Sequence, residues 1–338
     1  MSKNKKKQKK TSKNKHARGE IKMKKNQWIA LCMVVFVLIA ALSAFGGCTK
    51  AEQMYTTTVY ALERNGVTLH LDRVTADGKE ASKQILLTHG VTYSSHEFDI
   101  DYEDYSFVRF LAKNGYAVWR LDIAGFGQSG DVQDGFMPDS DYAAEDINAA
   151  VEKIVRESGS SKIDLLGWSW GTVTASRYVI AHSDRVNRLV LYAPILGGLG
   201  ASEVSDAFHY NTWEHAADDF QRNAKGGFDE EITDPILLQL FCSSCWRYDG
   251  ERSPNGGRRD ICVDPSETLI DLAAIRVPTL IVCGDNDPYL DYDRIATSLD
   301  LLPEKSEKMV ISGGAHVIMY EKPYYQAFRK AVNKFLEK

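Results

Sequence analysis

The sequence predicts an α/β fold, with a mostly parallel central sheet flanked by helices and an inserted cap. Three observations carry that expectation. From Gln84 onward, apolar β-branched runs alternate with helix-periodic segments, the pattern of right-handed crossovers in a parallel sheet. The alternation stops at Pro194 and resumes after about Glu267, and an insertion of that size in a repeating pattern is read as a lid or cap. The chain has 338 residues, 44% of them apolar and 26% charged, which is enough for a large core and excludes whole-chain disorder, collagen and a disulfide-stapled miniprotein.

Taken in order, Thr56 to Glu63 and Val67 to Ala76 are β-branched runs joined by Asn65-Gly66, so an antiparallel hairpin opens the body. Gln84 to Thr88 reads as a strand, Tyr105 to Lys113 as a helix, Ala117 to Asp122 as a strand and Asp141 to Glu157 as a helix. Ile163 to Trp168 is then a strand, Gly171 to Ala181 a helix and Val186 to Tyr192 a strand. From Ile195 to about Glu267 the chain is irregular and rich in Gly, Trp, Tyr, Asp and Arg. Strand and helix order returns with Thr279 to Cys283, Lys308 to Ile311 and Tyr324 to Leu336.

The formal charge of −5 averages two different objects. Residues 1–27 carry twelve Lys and Arg against Glu20, a net +11, which leaves −16 for the rest. Behind this basic region, Trp28 to Gly47 is an apolar run of 20 residues, and no charge occurs from Asn26 to Thr49. At about 1.5 Å per residue it spans the roughly 30 Å hydrocarbon core, and the flanking lysines favour a cytoplasmic N-terminus. Residues 1–48 are therefore a basic n-region plus a signal or transmembrane segment, and 49–338 are the folded body with its cap at about 195–267. The run Ala44-Phe45-Gly46-Gly47-Cys48 resembles the lipobox of bacterial lipoprotein precursors, which implies cleavage before Cys48 and acylation of its thiol. The alternative is an uncleaved anchor. Either way the body is expected at the cell membrane on its outer side. The lysines are read as contacting anionic lipid rather than nucleic acid, because an apolar span follows directly.

Of six cysteines, Cys32 lies in the apolar span, Cys48 is the acylation site that the lipobox implies, and Cys283 lies in a strand. Cys242, Cys245 and Cys262 remain, and a disulfide to Cys262 is open with its partner undecided. One Cys-x-x-Cys without a second pair is weak evidence for zinc.

The sharpest motif is Gly167-Trp168-Ser169-Trp170-Gly171, a Gly-x-Ser-x-Gly between a strand and a helix. A serine on so tight a turn needs glycine two residues to either side for the backbones to pass. Other marks lie in order along the chain: His89-Gly90-Val91 after a strand, Asp122-Ile123-Ala124-Gly125-Phe126-Gly127-Gln128-Ser129, Gly284-Asp285-Asn286-Asp287 after a strand, and Gly313-Gly314-Ala315-His316. With these the chain resembles the α/β-hydrolase fold family from about Thr56 to Lys338. The resemblance implies Ser169 as nucleophile, His316 as base and Asp287 as the acid orienting it, with the backbone N–H groups of Val91 and Trp170 forming an oxyanion hole. Asp285 competes with Asp287, but only Asp287 fits the family's spacing.

A serine with a histidine base selects acyl transfer and argues against the dehalogenases and epoxide hydrolases of this fold, which carry Asp at the elbow. Hydrolysis of a carboxylic ester is the leading expectation, on a small-molecule ester or lipid-like substrate. Ser169-Trp170-Gly171 is also similar to the elbow of proline iminopeptidases, although their His-Gly-Gly-Pro-Gly loop is replaced here by His89-Gly90-Val91-Thr92-Tyr93. A non-catalytic binding protein is a third reading, but none of the catalytic residues is missing. No cofactor and no metal is implied. Among the remaining histidines, His89 is expected to brace the oxyanion loop, and His96, just beyond that loop, could reach the pocket but reads more readily as lying outside it. His16, His70, His182, His209 and His215 are expected at the surface, in the core or in the tail. Trp213, Phe220, Phe241 and Trp246 line either an acyl pocket or the cap's own core.

Overall fold

The computed structural model describes residues 54–200 and 203–338. The basic region, the apolar span and Cys48 lie outside the described residues, and no helix among the described ones is long and apolar enough to cross a membrane.

Strands β1 (Tyr55–Arg64) and β2 (Val67–Ala76) pair antiparallel with Arg64 opposite Val67. The two residues between them, Asn65 and Gly66, both take positive φ, 51° and 80°, so their turn follows the right-handed twist of the strands. Next come β3 (Lys83–Thr88), α1 (Phe107–Lys113), β4 (Tyr116–Leu121), α2 (Ser140–Ser158), β5 (Ile163–Trp168), α3 (Trp170–Ala181) and β6 (Val186–Tyr192). After the insertion follow β9 (Thr279–Gly284), α7 (Tyr292–Thr297), β10 (Glu307–Ile311) and α8 (Tyr325–Leu336). Helix ends obey local chemistry. Asp139 caps α2 by accepting from the N–H groups of Asp141 and Tyr142, and Gly159 closes it in the left-handed region at φ 70°.

Within the insertion lie β7 (Phe208–Tyr210), α4 (Trp213–Ala216), α5 (Pro235–Asp249), β8 (Arg252–Pro254) and α6 (Gly256–Ile261). The expected irregular stretch is thus a folded cap. Its main helix, α5, has Asp234 as cap and Pro235 at its first position, signals present in the sequence.

The main sheet runs β1-β2-β4-β3-β5-β6-β9-β10, antiparallel through the β1/β2 and β2/β4 pairs and parallel elsewhere. Every residue of β4, β5 and β9 is buried, as expected of parallel strands covered on both faces. Trp119, Trp168, Tyr192, Phe107 and Phe328 are all at most 1% exposed. Burying a phenylalanine such as Phe107 or Phe328 contributes about 1.5–3 kcal/mol by leaving water. The site described next forms where β3, β5 and β9 end.

Candidate active site

Ser169 sits between β5 and α3 at φ 57°, ψ −123°, a conformation that costs a residue with a Cβ. Its neighbours make the turn feasible. A Cβ on Gly167 would lie 2.1 Å from the Gly171 carbonyl oxygen, and one on Gly171 would lie 2.4 Å from that of Thr88. The Ser169 N–H donates to Tyr192 O at 3.0 Å, which ties the turn to β6. Its side chain lines a cavity of about 90 Å³ together with Val91, Tyr93, Arg258, Tyr289 and His316.

The structure brings Asp287 and His316 together, with His316 Nδ1 2.7 Å from Asp287 Oδ2. Both are buried, at 1% and 3% exposure. The other oxygen of Asp287 accepts from the Tyr289 N–H at 3.0 Å. The His316 carbonyl is fixed from below by the Tyr192 hydroxyl at 2.8 Å and the Trp168 indole N–H at 3.2 Å. Burial pulls the imidazole toward its neutral form, but the charge and hydrogen bond of Asp287, aided by Asp219 and Glu321, outweigh it. The net position lies above the ordinary histidine value. Asp285 is exposed and turned elsewhere, accepting from the Ser312 hydroxyl and the Gly313 N–H, so it tethers the histidine loop rather than the imidazole.

Gly90 packs against the elbow, since a Cβ there would lie 3.3 Å from Ser169 Cβ. The next residue, Val91, lines the cavity, and the N–H of Trp170 is the first of α3 and has no acceptor within its helix. His89 braces this loop as expected. Its Nδ1 donates to Gly90 O at 2.8 Å and its Nε2 accepts from the Ile123 N–H at 3.1 Å, one fixed neutral tautomer that burial also favours.

His96 does not line the Ser169 cavity; it stacks on Tyr248 at 3.3 Å between ring centres and bonds Gln128, because Asp122 anchors its segment through the Ser95 N–H and hydroxyl. Phe220 and Phe241 pack on each other at 5.2 Å as core, whereas Trp213 and Trp246 are about half exposed, at 45% and 49%. Cys242, Cys245 and Cys262 are all free, so no disulfide joins them, and Cys283 is buried in β9.

Residues without a motif also reach the cavity. Glu97, Asp219, His215 and Arg258 line it, contributed by the oxyanion loop's extension and the cap. Glu97 Oε1 accepts from the Gly90 N–H at 3.4 Å. Burial holds both Glu97 and Asp219 above the ordinary carboxylic acid value, toward the neutral form. No sequence signal marks them, because their positions depend on how the cap folds back over the sheet.

Residues 83–323 match the model of the α/β hydrolase fold. The chain belongs to the α/β-hydrolase fold family. A non-heme haloperoxidase of Rhodococcus erythropolis is 27% identical over 250 residues, 70% of this chain and 86% of that protein. The uncharacterized carboxylesterase nap of Bacillus subtilis is 23% identical over 262 residues, 75% of this chain and 79% of that one. Among solved structures, the bromoperoxidase of Bacillus anthracis superposes with a TM-score of 0.60 at 20% identity, covering 84% of this chain and 100% of that chain. The naproxen esterase of Bacillus subtilis gives 0.56 at 18%, covering 89% and 96%. At these identities the structural likeness establishes the α/β-hydrolase fold alone.

Proposed function

We propose that this protein is a serine hydrolase that cleaves carboxylic esters through an acyl-enzyme intermediate. The observation that carries this is the 2.7 Å contact between His316 and Asp287 beside a cavity shared with Ser169. A serine hydroxyl is a weak nucleophile near neutral pH and needs an adjacent base. His316 Nε2 takes the Ser169 proton as Oγ attacks the carbonyl carbon, and Asp287 holds the tautomer and stabilises the imidazolium. The oxyanion is received by the N–H groups of Val91 and Trp170, where loss of one donor typically costs about 2.7–4 kcal/mol. His316 then returns the proton to the departing alcohol. Water, activated by the same imidazole, releases the acid. The carboxylesterase named among the relatives supports this reading.

Purified protein should release p-nitrophenol from short-chain esters and take up one equivalent of a fluorophosphonate at Ser169. Both activities should vanish in Ser169→Ala, and equal turnover by that variant would end the proposal. We further propose that the body lies outside the cytoplasm, held at the membrane through an acylated Cys48 or an uncleaved span.

A further inference from the structure

The cavity holds a cation that enters no ion pair among the described residues. Arg258 lies on α6, is half-buried, and lines the same small space as Ser169 and His316. Its guanidinium bonds only neutral oxygens, Thr92 Oγ1 and, at 3.2 Å, Asn255 Oδ1. Among the described residues it enters no ion pair, although Asp218 and Asp219 line the cavity too. Burying a charge without a partner is costly, and arginine retains its proton where other bases would shed it.

The cap is built to keep it there. A Cβ on Gly257 would lie 2.4 Å from the Trp170 ring, and one on Gly256 2.6 Å from the Pro138 carbonyl oxygen, so α6 sits directly on the elbow. Thr92, which receives the guanidinium, is a β-branched residue held at φ 97°, a conformation rarely tolerated by such side chains. It directly follows Val91. The unpaired charge therefore stands next to the place where the scissile carbonyl would rest.

We propose that Arg258 binds a carboxylate carried by the substrate, so that this site hydrolyses half-esters of short dicarboxylic acids in preference to neutral fatty esters. This rests on the Ser169 reading above. The guanidinium fork matches a carboxylate in geometry and charge and forms two parallel hydrogen bonds with it. Of the acids lining the cavity, Asp218 is turned to Arg222 at 3.6 Å and to His215 at 3.9 Å, and burial favours the neutral forms of Glu97 and Asp219, so none of them pairs with the guanidinium. An amine-bearing ester would meet the same arginine and be repelled.

The experiment compares kcat/KM for monoethyl succinate, glutarate and adipate with ethyl butyrate, valerate and hexanoate, and with ethyl 6-aminohexanoate. The full-length protein is used in detergent, with released ethanol as the readout. At least one half-ester should exceed its neutral counterpart by more than about tenfold, and the cationic ester should be poorest. In Arg258→Met that ratio should fall to about one, and Arg258→Lys should give an intermediate ratio because it keeps charge but loses the fork. Because each ratio is taken within one variant, a general loss of activity does not mimic the effect. As a binding check, glutarate should inhibit fluorophosphonate labelling of Ser169 more strongly than valerate, and Arg258→Met should abolish the difference. A neutral or cationic ester preferred by the native protein, or a half-ester preference unchanged in Arg258→Met, overturns the arginine's role while leaving ester hydrolysis standing. No turnover of any ester together with no labelling of Ser169 sinks both readings.

Discussion

Ser169 is held at positive φ because the backbones of Gly167 and Gly171 leave room for the turn and because its N–H is fixed to β6. Positive φ in a non-glycine residue is a local cost that the surrounding packing must offset. The same logic governs His316, whose burial alone would depress its pKa but whose contact with Asp287 lifts it. A base must be neutral to accept the serine proton, so kcat/KM should rise with pH, its midpoint lying above the ordinary histidine value of about 6.5. In Asp287→Asn the main upward influence is gone and burial remains, so the midpoint should move down. kcat should also drop, by about 10³–10⁴-fold, because the tautomer is no longer imposed. A pH–rate profile of the two proteins checks this; a midpoint that stays put would place the titrating base elsewhere. Asp285 and Asp287 show how much depends on direction, since two residues in sequence separate an imidazole partner from a loop tether.

Elements are positioned over one another by contacts too close for any side chain. The end of β9 passes the histidine loop so closely that a Cβ on Gly284 would lie 1.9 Å from the Gly314 carbonyl oxygen. Backbone cannot yield as a flexible side chain does, so Gly284→Ala should push the acid-bearing strand end away from His316. The expected cost is about 1–3 kcal/mol in denaturant unfolding, with slower labelling of Ser169 by a fluorophosphonate. Labelling at the native rate would show that the spacing of these two elements does not control the base. The cap follows the same rule through Gly256 and Gly257. Its helix α5 could have been read from Asp234-Pro235 at one end and Gly250 at the other. Its apolar stretch Leu-Leu-Gln-Leu-Phe-Cys alternates too little with charge to stand out from an irregular segment.

Across the whole molecule, the formal charge of −5 divides into a basic segment of +11 and a remainder of −16. If Cys48 is acylated after cleavage, mass spectrometry of the mature N-terminus should find a lipid-modified Cys48 and a strongly acidic protein. An intact Met1 would instead rule out the lipoprotein. Within the body, the β-strand runs, the Asn65-Gly66 hairpin and the crossover order were legible, because period, turn chemistry and strand length are local properties. Helix ends moved by a residue or two where a cap took over, as at Ser106, whose hydroxyl accepts from the Arg109 N–H. The Gly-x-Ser-x-Gly elbow, the His89 brace and the pairing of Asp287 with His316 were legible too, since each sits at the end of a strand whose register carries it to one edge of the sheet. His96, His215, Glu97 and Arg258 were not. Their roles depend on which way the cap and the loop after β3 fold back, and that is decided by long-range packing between segments more than 100 residues apart, such as Arg258 on Thr92. The sequence by itself determined the fold, because it is written in local patterns, and it supplied the serine, histidine and acid on which the proposed ester hydrolysis rests. Only the tertiary structure decided what surrounds Ser169, because a half-buried charge acquires its meaning from the neighbours it lacks.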